Sequence, residues 1–343
     1  MKTPIFIEMN DIHLRGDNVE KIKDLISQAC SLGDHLKCKQ LLVLGDIFDA
    51  RPAQKQGVLV AFSEILDYIY SKGFKMLCIA GNHDKSDYTA NESYLTQYKD
   101  HPAIILLSEP TYIHSGDFYE NCDCQFNSYF IPFYEEKVFK EKYDKLISNN
   151  PISNKSILFS HIAVTGSRNN DGTIIESPIK PSIFKDFYKV MLGHYHNEQQ
   201  IGGNIFHLPS ICQSNYGEDE NKGFTIIFAD GSHEFKKSKF KEFKTIKLDV
   251  ANLSKEAIRE IISESNSNTR IELVGEKDIL DSVDTTILRD AGIKVVKKNI
   301  DLEIEEIEQI SEIKKYNKES ISKEFTDWCN KEGYNSTEAL IYL

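Results

Sequence analysis

The chain contains no apolar run long enough to cross a membrane. Its opening segment, residues 1–6, is too brief an apolar stretch before Glu8 to act as a secretion signal. Seven cysteines, an odd number without regular spacing, exclude a paired disulfide framework and point to a reducing, cytoplasmic setting. Cys122-Asp123-Cys124 has no matching second pair, so it reads as an ordinary loop better than as a structural zinc site. Positive charge is not in excess either. With 41 Lys+Arg against 53 Asp+Glu, the formal net charge of −12 gives no long-range attraction for polyanions. Any nucleic-acid binding must therefore come from local basic patches, from metals or from a partner subunit.

What is present is a series of short polar motifs in fixed order: Asp11-Ile12-His13, Gly45-Asp46-Ile47-Phe48-Asp49, Gly81-Asn82-His83-Asp84, Ser160-His161 and Gly193-His194-Tyr195-His196. Each follows an apolar, strand-like run, such as Leu41-Leu42-Val43-Leu44 before Gly45. Polar groups at the carboxyl ends of several strands converge in space although they are scattered in sequence.

The 343 residues suffice for one large and one small domain. In the first half, strand and helix alternate. Val19, Ile22, Leu25, Ile26, Ala29 and Cys30 keep a helical period after Asn18, which is placed to cap, and Gly33 is expected to end that helix. Val58, Ala61, Phe62, Ile65, Leu66 and Ile69 mark a second helix that stops at Gly73. Strands near 40–44 and 75–80 complete a βαβαβ start, which implies parallel pairing with helical cover. Shorter strand signals follow at 103–107, 112–114, 126–131, 156–160, 189–192, 205–208 and 223–228, with a helix at 137–147 and a Gly-, Asn- and Pro-rich loop at 163–182. The fold class predicted is α/β: a four-layer sandwich of two packed β-sheets flanked by helices, then a small α/β domain and C-terminal helices. The large domain spans 1–242. The small one covers 243–299, with strands at 245–250, 270–274 and 293–297 and helices at 255–264 and 277–291. An acidic linker occupies 300–319, and amphipathic helices 320–343.

The chemistry follows from donor types. Alternate residues on a segment leaving a strand face one side, so Asp11 and His13 can share one metal, and His194 and His196 repeat the pattern. Asp46 has two carboxylate oxygens with which to bridge two metals, and Asn82 offers a neutral oxygen beside an anionic phosphate. His161 completes the second metal. Oxygen and imidazole donors together suit divalent cations, with Mn²⁺ favoured over Mg²⁺ by the nitrogen share. Two such cations about 3.5–4 Å apart polarise a phosphodiester and lower the pKa of a bridging water. His83, next to Asn82, is placed to protonate the leaving oxygen, with Asp84 to orient it. Singly, each motif is a common turn, cap or structural histidine; all in order, each after a strand, point to a two-metal phosphoesterase.

The set resembles the calcineurin-like metallophosphoesterase superfamily. Gly45-Asp46-Ile47-Phe48-Asp49 with Arg51-Pro52, Leu208-Pro209-Ser210 and Gly217-Glu218-Asp219-Glu220-Asn221-Lys222-Gly223-Phe224 narrow it to SbcD-type double-strand-break repair nucleases, phage recombination subunits included. The resemblance covers about residues 1–230 and is only architectural beyond. It implies that Asp11, His13, Asp46 and His196 bind one metal, that Asp46, Asn82, His161 and His194 bind the other, and that His83 is the acid. It further implies a manganese-dependent 3′-to-5′ exonuclease and single-strand endonuclease acting on DNA as a homodimer with an SbcC-type coiled-coil ATPase, its small domain seating DNA. Asp49 stands where some members carry histidine, and Arg15-Gly16 replaces a glycine that usually follows the leucine directly.

Two further regions invite a role. Lys236, Lys237, Lys239, Lys241, Lys244 and Lys247 lie among aromatics, and fit either a DNA backbone or a lysine-protected sheet edge. The stripe Ile321, Phe325, Trp328 and Cys329 fits docking on the ATPase coiled coil better than packing on its own small domain. The rival readings are a small-molecule or cyclic-nucleotide phosphodiesterase with the same metals, and a catalytically silent DNA-end-binding scaffold.

Overall fold

The computed structural model describes residues 2–117, 124–153, 155–252, 254–265, 268–299 and Thr326. The acidic linker, the C-terminal helices and the Cys122-Asp123 pair lie outside the described residues, apart from Thr326.

Short apolar runs alternate with amphipathic ones to give β1 (Pro4–Glu8), α1 (Val19–Leu36), β2 (Gln40–Leu44), α2 (Gln56–Ser71), β3 (Lys75–Ile79) and β4 (Ile104–Leu106). Then come β5 (Thr111–Ile113), β6 (Asn127–Ile131), α3 (Glu136–Asn149), β7 (Ser156–His161) and β8 (Lys189–Gly193). β9 (Gln199–Ile201), β10 (Ile205–His207), β11 (Gly223–Phe228) and β12 (His233–Lys237) close the large unit. They form two six-stranded sheets, β12-β11-β1-β2-β3-β4 and β5-β6-β7-β8-β10-β9. β1 to β4 pair in parallel, and Leu41, Leu42, Val43 and Leu44 are all buried, as a strand covered on both faces requires.

Three apolar layers place the sheets. Ile7, Met9, Leu41 and Val43 pack under α1 and α2, while Phe6, Leu42, Leu44, Leu77 and Ile79 point the other way and meet Phe130, Ile157, Phe159 and Met191 of the second sheet. Tyr129, Leu158, Val190 and Leu192 then pack beneath α3. The order is helix, sheet, sheet, helix.

α1 continues past Gly33, the glycine expected to end it, and stops at Leu36 with Lys37 left-handed at φ 58°. A Cβ on Gly33 would lie 2.5 Å from Phe74 Cε1 and 2.5 Å from Cys38 O, so the glycine serves close packing and not termination. β9 and β12 escaped the sequence pattern, being short or exposed. β12 is an edge strand with Lys236 and Lys237 exposed, in keeping with the protective role of lysines at an edge.

The chain divides into two units, Met1–Phe243 and Lys244–Leu343. The second holds β13 (Lys244–Asp249), α4 (Lys255–Glu264), β14 (Thr269–Gly275), α5 (Lys277–Ser282), α6 (Thr286–Asp290) and β15 (Lys294–Asn299), in a parallel sheet of order β13-β14-β15. Ile271, Leu273, Leu280, Leu288 and Ile293 form its core. The single helix expected over 277–291 is two, because Asp284 takes the Thr286 amide at 2.9 Å and restarts the winding. Among the described residues no helix is long and apolar enough to cross a membrane.

Candidate metal centre

The site assembles from the loops that leave β1, β2, β3, β7 and β8. The first two loops run side by side, with the His13 amide on Asp46 O at 3.0 Å and the Leu14 amide on Ile47 O at 2.8 Å. Asn18 does not cap α1. Its Oδ1 takes the Arg15 amide at 2.8 Å and its Nδ2 donates to His13 O at 2.9 Å, pinning the loop that carries His13.

Asp11 (φ 49°), His13 (46°), Asp46 (51°) and His194 (89°) all occupy left-handed backbone. Such a conformation costs on the order of 1–3 kcal/mol per non-glycine residue and persists only where surrounding structure enforces it. The expected strand-like alternation of Asp11 and His13 is thus replaced by two left-handed turns that bring both side chains inward. Two glycines make room for His161 and Asp46. A Cβ on Gly45, itself at φ 100°, would lie 2.4 Å from His161 Nδ1, and one on Gly81 would lie 2.2 Å from Asp46 Oδ1.

Ligand-type atoms gather in three overlapping groups: Asp11, His13 and His196; Asp46, His161 and His194; and, sharing a residue with each, His13, Asp46 and His83. His13 Nε2 and His196 Nε2 face each other at 3.0 Å. His161 Nε2 and His194 Nδ1 each lie 3.0 Å from Asn82 Oδ1, and 3.3 Å from one another. Asp46 Oδ2 stands between the groups, 3.3 Å from His161 Nε2 and 3.8 Å from His13 Nε2. Burial pushes the Asp46 carboxyl up, but the imidazoles of His161 and His13 outweigh it and hold the group below the usual carboxylate range.

These residues fit a pair of divalent cations. His161 Nδ1 donates to Leu44 O at 2.7 Å and His196 Nδ1 to Glu218 Oε1 at 2.8 Å, so the remaining nitrogen of each ring turns its lone pair into the centre. Asp11 Oδ2 is buried with no hydrogen-bond partner among the described residues. Converging lone pairs and an orphaned carboxylate oxygen are what cations would satisfy.

His83 sits at the rim. Its amide donates to Asp46 Oδ1 at 2.8 Å, and its Nδ1 donates to the Asp49 carbonyl. Its Nε2 faces the Arg51 guanidinium, at 3.1 Å from Nε and 2.9 Å from Nη2. Asp84 does not orient His83. Its two oxygens are spent on the Phe48 amide at 2.9 Å and the Gly81 amide at 2.8 Å, and it braces the loops from below.

A family model described as calcineurin-like phosphoesterase matches residues 6–210. The chain belongs to that family. No curated protein matches it. Among solved structures it is similar to a dimetal phosphatase from Danio rerio, 11% identical, with a TM-score of 0.43 over 66% of this chain and 93% of that one. It is also similar to the nuclease MPE of Pseudomonas putida, 14% identical, with a TM-score of 0.28 over 66% of this chain and 84% of that one.

In this calcineurin-like phosphoesterase the metal groups floor a polar cleft of about 450 Å³ whose walls include Arg15, Arg51, Asn169, Asn170, Ser214 and Asn215. Asn169 and Asn170 come from the loop 163–182, where Arg168 and Ile174 pair as an isolated bridge. Phe133 stacks on His194 at 6.4 Å and meets His161 edge-on at 6.1 Å, closing the hydrophobic side of the centre. Sequence reasoning assigned no contact to Phe133, Glu218 or Arg51. Glu218 and Arg51 nevertheless stood in segments that the sequence had already singled out, and nothing in the sequence marked Phe133.

Proposed function

We propose that this phosphoesterase is a two-metal DNA nuclease of the SbcD type, cleaving phosphodiesters in repair or recombination together with a coiled-coil ATPase. The observation that carries the reading is where Arg51 and Glu218 lie. Both belong to segments resembling SbcD-type nucleases, neither is a metal ligand, and each hydrogen-bonds a site histidine, Arg51 to His83 and Glu218 to His196.

Asp11, His13, Asp46 and His196 would hold one ion, and Asp46, Asn82, His161 and His194 the other. Once bound, such ions polarise the scissile phosphodiester and supply a nucleophilic water near neutral pH. The chain's own groups do the rest. Asn82 contributes an oxygen without adding charge beside the phosphate. Arg51 and Arg15 offer guanidinium groups to phosphate oxygens in the cleft, the bidentate geometry for which arginine is suited. His83 would deliver a proton to the leaving oxygen from its doubly protonated form, with Nδ1–H kept on Asp49 O and Nε2–H turned from Arg51 to the leaving group. Manganese should serve better than magnesium because of the imidazole share.

The small α/β unit would seat DNA, a second copy of the chain would complete a homodimer, and the stripe around Phe325 and Trp328 would dock the ATPase. Removing residues 318–343 should then abolish ATPase association while leaving manganese-dependent cleavage of single-stranded DNA. The decisive assay offers linear duplex DNA, circular single-stranded DNA, an aryl phosphodiester and a cyclic nucleotide to the purified protein with Mn²⁺. Degradation of both DNAs is expected. Turnover of the small esters with DNA untouched would establish the small-molecule phosphodiesterase instead, and DNA binding without any turnover would establish the silent scaffold.

A further inference from the structure

We infer that Glu218 is a positioning residue for His196, and that it sets the affinity of one metal position while leaving the other alone. The inference rests on the two-metal reading above. Glu218 lies in the segment 217–224, which resembles the nuclease family but carries none of the ligands.

Its side chain is wholly buried, yet every part of the carboxylate is used. Oε1 accepts from His196 Nδ1 at 2.8 Å and from Asn215 Nδ2 at 2.9 Å, and Oε2 accepts from the Ser214 amide at 3.1 Å. The backbone is tied as well, with Gln213 Nε2 donating to Glu218 O at 2.8 Å. The carboxylate therefore fixes both the tautomer and the rotation of the His196 ring. Its Nε2 is left as a lone pair directed at the group formed with Asp11 and His13. Lys222, from the same segment and equally buried, clamps the histidine's backbone by donating to His196 O at 2.8 Å and to Asn197 Oδ1 at 2.6 Å.

The other metal position is backed differently. His161 leans on a neutral carbonyl, Leu44 O, and His194 turns Nδ1 itself inward to Asn82. Among the described residues no carboxylate stands behind either ring. A carboxylate behind a ligating imidazole holds the ring and strengthens its donation, and losing one costs about 10–100-fold in metal affinity. The two positions are thus built unequal: Glu218 stands behind His196, and Asp49 Oδ1 lies 3.4 Å from His13 Nδ1 at the same position.

The test measures Mn²⁺ binding by calorimetry in two backgrounds. His194→Ala retains the position of Asp11, His13 and His196, and His196→Ala retains the position of Asn82 and His161. Adding Glu218→Ala should weaken Mn²⁺ by about 10–100-fold in the first background and by less than about twofold in the second. Glu218→Gln keeps an acceptor oxygen for His196 Nδ1, and should lose less than Glu218→Ala in the first background. It also carries the same comparison if the alanine variant fails to fold. A merely structural role for Glu218 predicts equal losses in both backgrounds. That result, or no loss in the first background, would overturn the inference. Two Mn²⁺ bound to the parent protein with Glu218→Ala indifferent refutes Glu218 alone, whereas no Mn²⁺ bound to the parent refutes the two-metal reading with it.

Discussion

The two sheets of the large unit bring different chemistry to the same cleft. The first supplies oxygen, since Asp11, Asp46 and Asn82 leave β1, β2 and β3, with His13 the imidazole among them. The second supplies nitrogen, since His161 closes β7 while His194 and His196 follow β8. Neither sheet holds a complete set. The group of Asp11, His13 and His196 draws on both, as does that of Asp46, His161 and His194. A cation pair would therefore be bound by the packed state of the two sheets and by no part of it separately. Metal affinity and the apolar layer of Phe6, Leu44, Phe130 and Phe159 between the sheets are thus thermodynamically linked.

The most severe break in this arrangement is at Asp46, whose Oδ2 lies between imidazoles of both groups. Asp46→Asn keeps the shape but removes the shared anionic oxygen. Phosphodiester cleavage should fall to background with an unchanged circular dichroism spectrum. Full activity in that variant would refute the assigned centre.

His83→Gln should act on turnover alone. The ring borders His13 and Asp46, but Asp49 O and Arg51 hold its two nitrogens, so both ions should stay bound while cleavage drops about 10²–10⁴-fold. Loss of a metal from His83→Gln would show that His83 is a ligand and that its division of labour with Asn82 is wrong.

Much of this was legible in the sequence because ligands at strand ends follow apolar runs that announce themselves. Asp46 after Leu41-Leu42-Val43-Leu44 and His161 after Ile157-Leu158-Phe159 are examples. What could not be read was how the side chains turn inward. A left-handed φ at Asp11, His13 and His194 is only weakly marked in the sequence, since Asp and His are enriched there without being diagnostic, and it displaced the simpler picture of alternation along a strand. Asp84 misled for a related reason. Adjacency to His83 suggested a hydrogen bond, but the turn points the carboxylate down at the Phe48 and Gly81 amides. Gly33 shows the same limit in a helix, where close packing on Phe74 calls for a glycine that stops nothing.

If the centre belongs to the packed pair of sheets, metal should stabilise the fold. A ligand that binds only the native state adds about 2.7 kcal/mol at a concentration of 100 times its dissociation constant. Mn²⁺ should raise the melting temperature of the metal-stripped protein and chelator should lower it, with the rise much reduced in Asp46→Asn. An equal rise in Asp46→Asn and the parent would place the stabilising ion elsewhere.

The smallest expected effect tests the second sheet alone. His207 on β10 is fully buried, with Nδ1 donating to Gly193 O at 3.0 Å and Nε2 2.9 Å from Ser167 Oγ. Burial, with the His161 charge adding to it and the Gly193 carbonyl opposing, pushes the imidazole down to about 4. The unfolded chain then binds this proton more readily than the folded one between roughly pH 6.5 and pH 4. The contribution to stability is whole above the upper limit and shrinks as pH falls, by about 1.4 kcal/mol per pH unit, until it levels off below the lower limit. His207→Gln can keep both hydrogen bonds and has no proton to take up. Melts in chelator at pH 7.5, 6.5 and 5.5 should therefore show a shallower acid loss in the variant than in the parent, with the gap opening only below about pH 6.5. Parallel slopes across that range would mean that the pH dependence of this sheet lies in other groups.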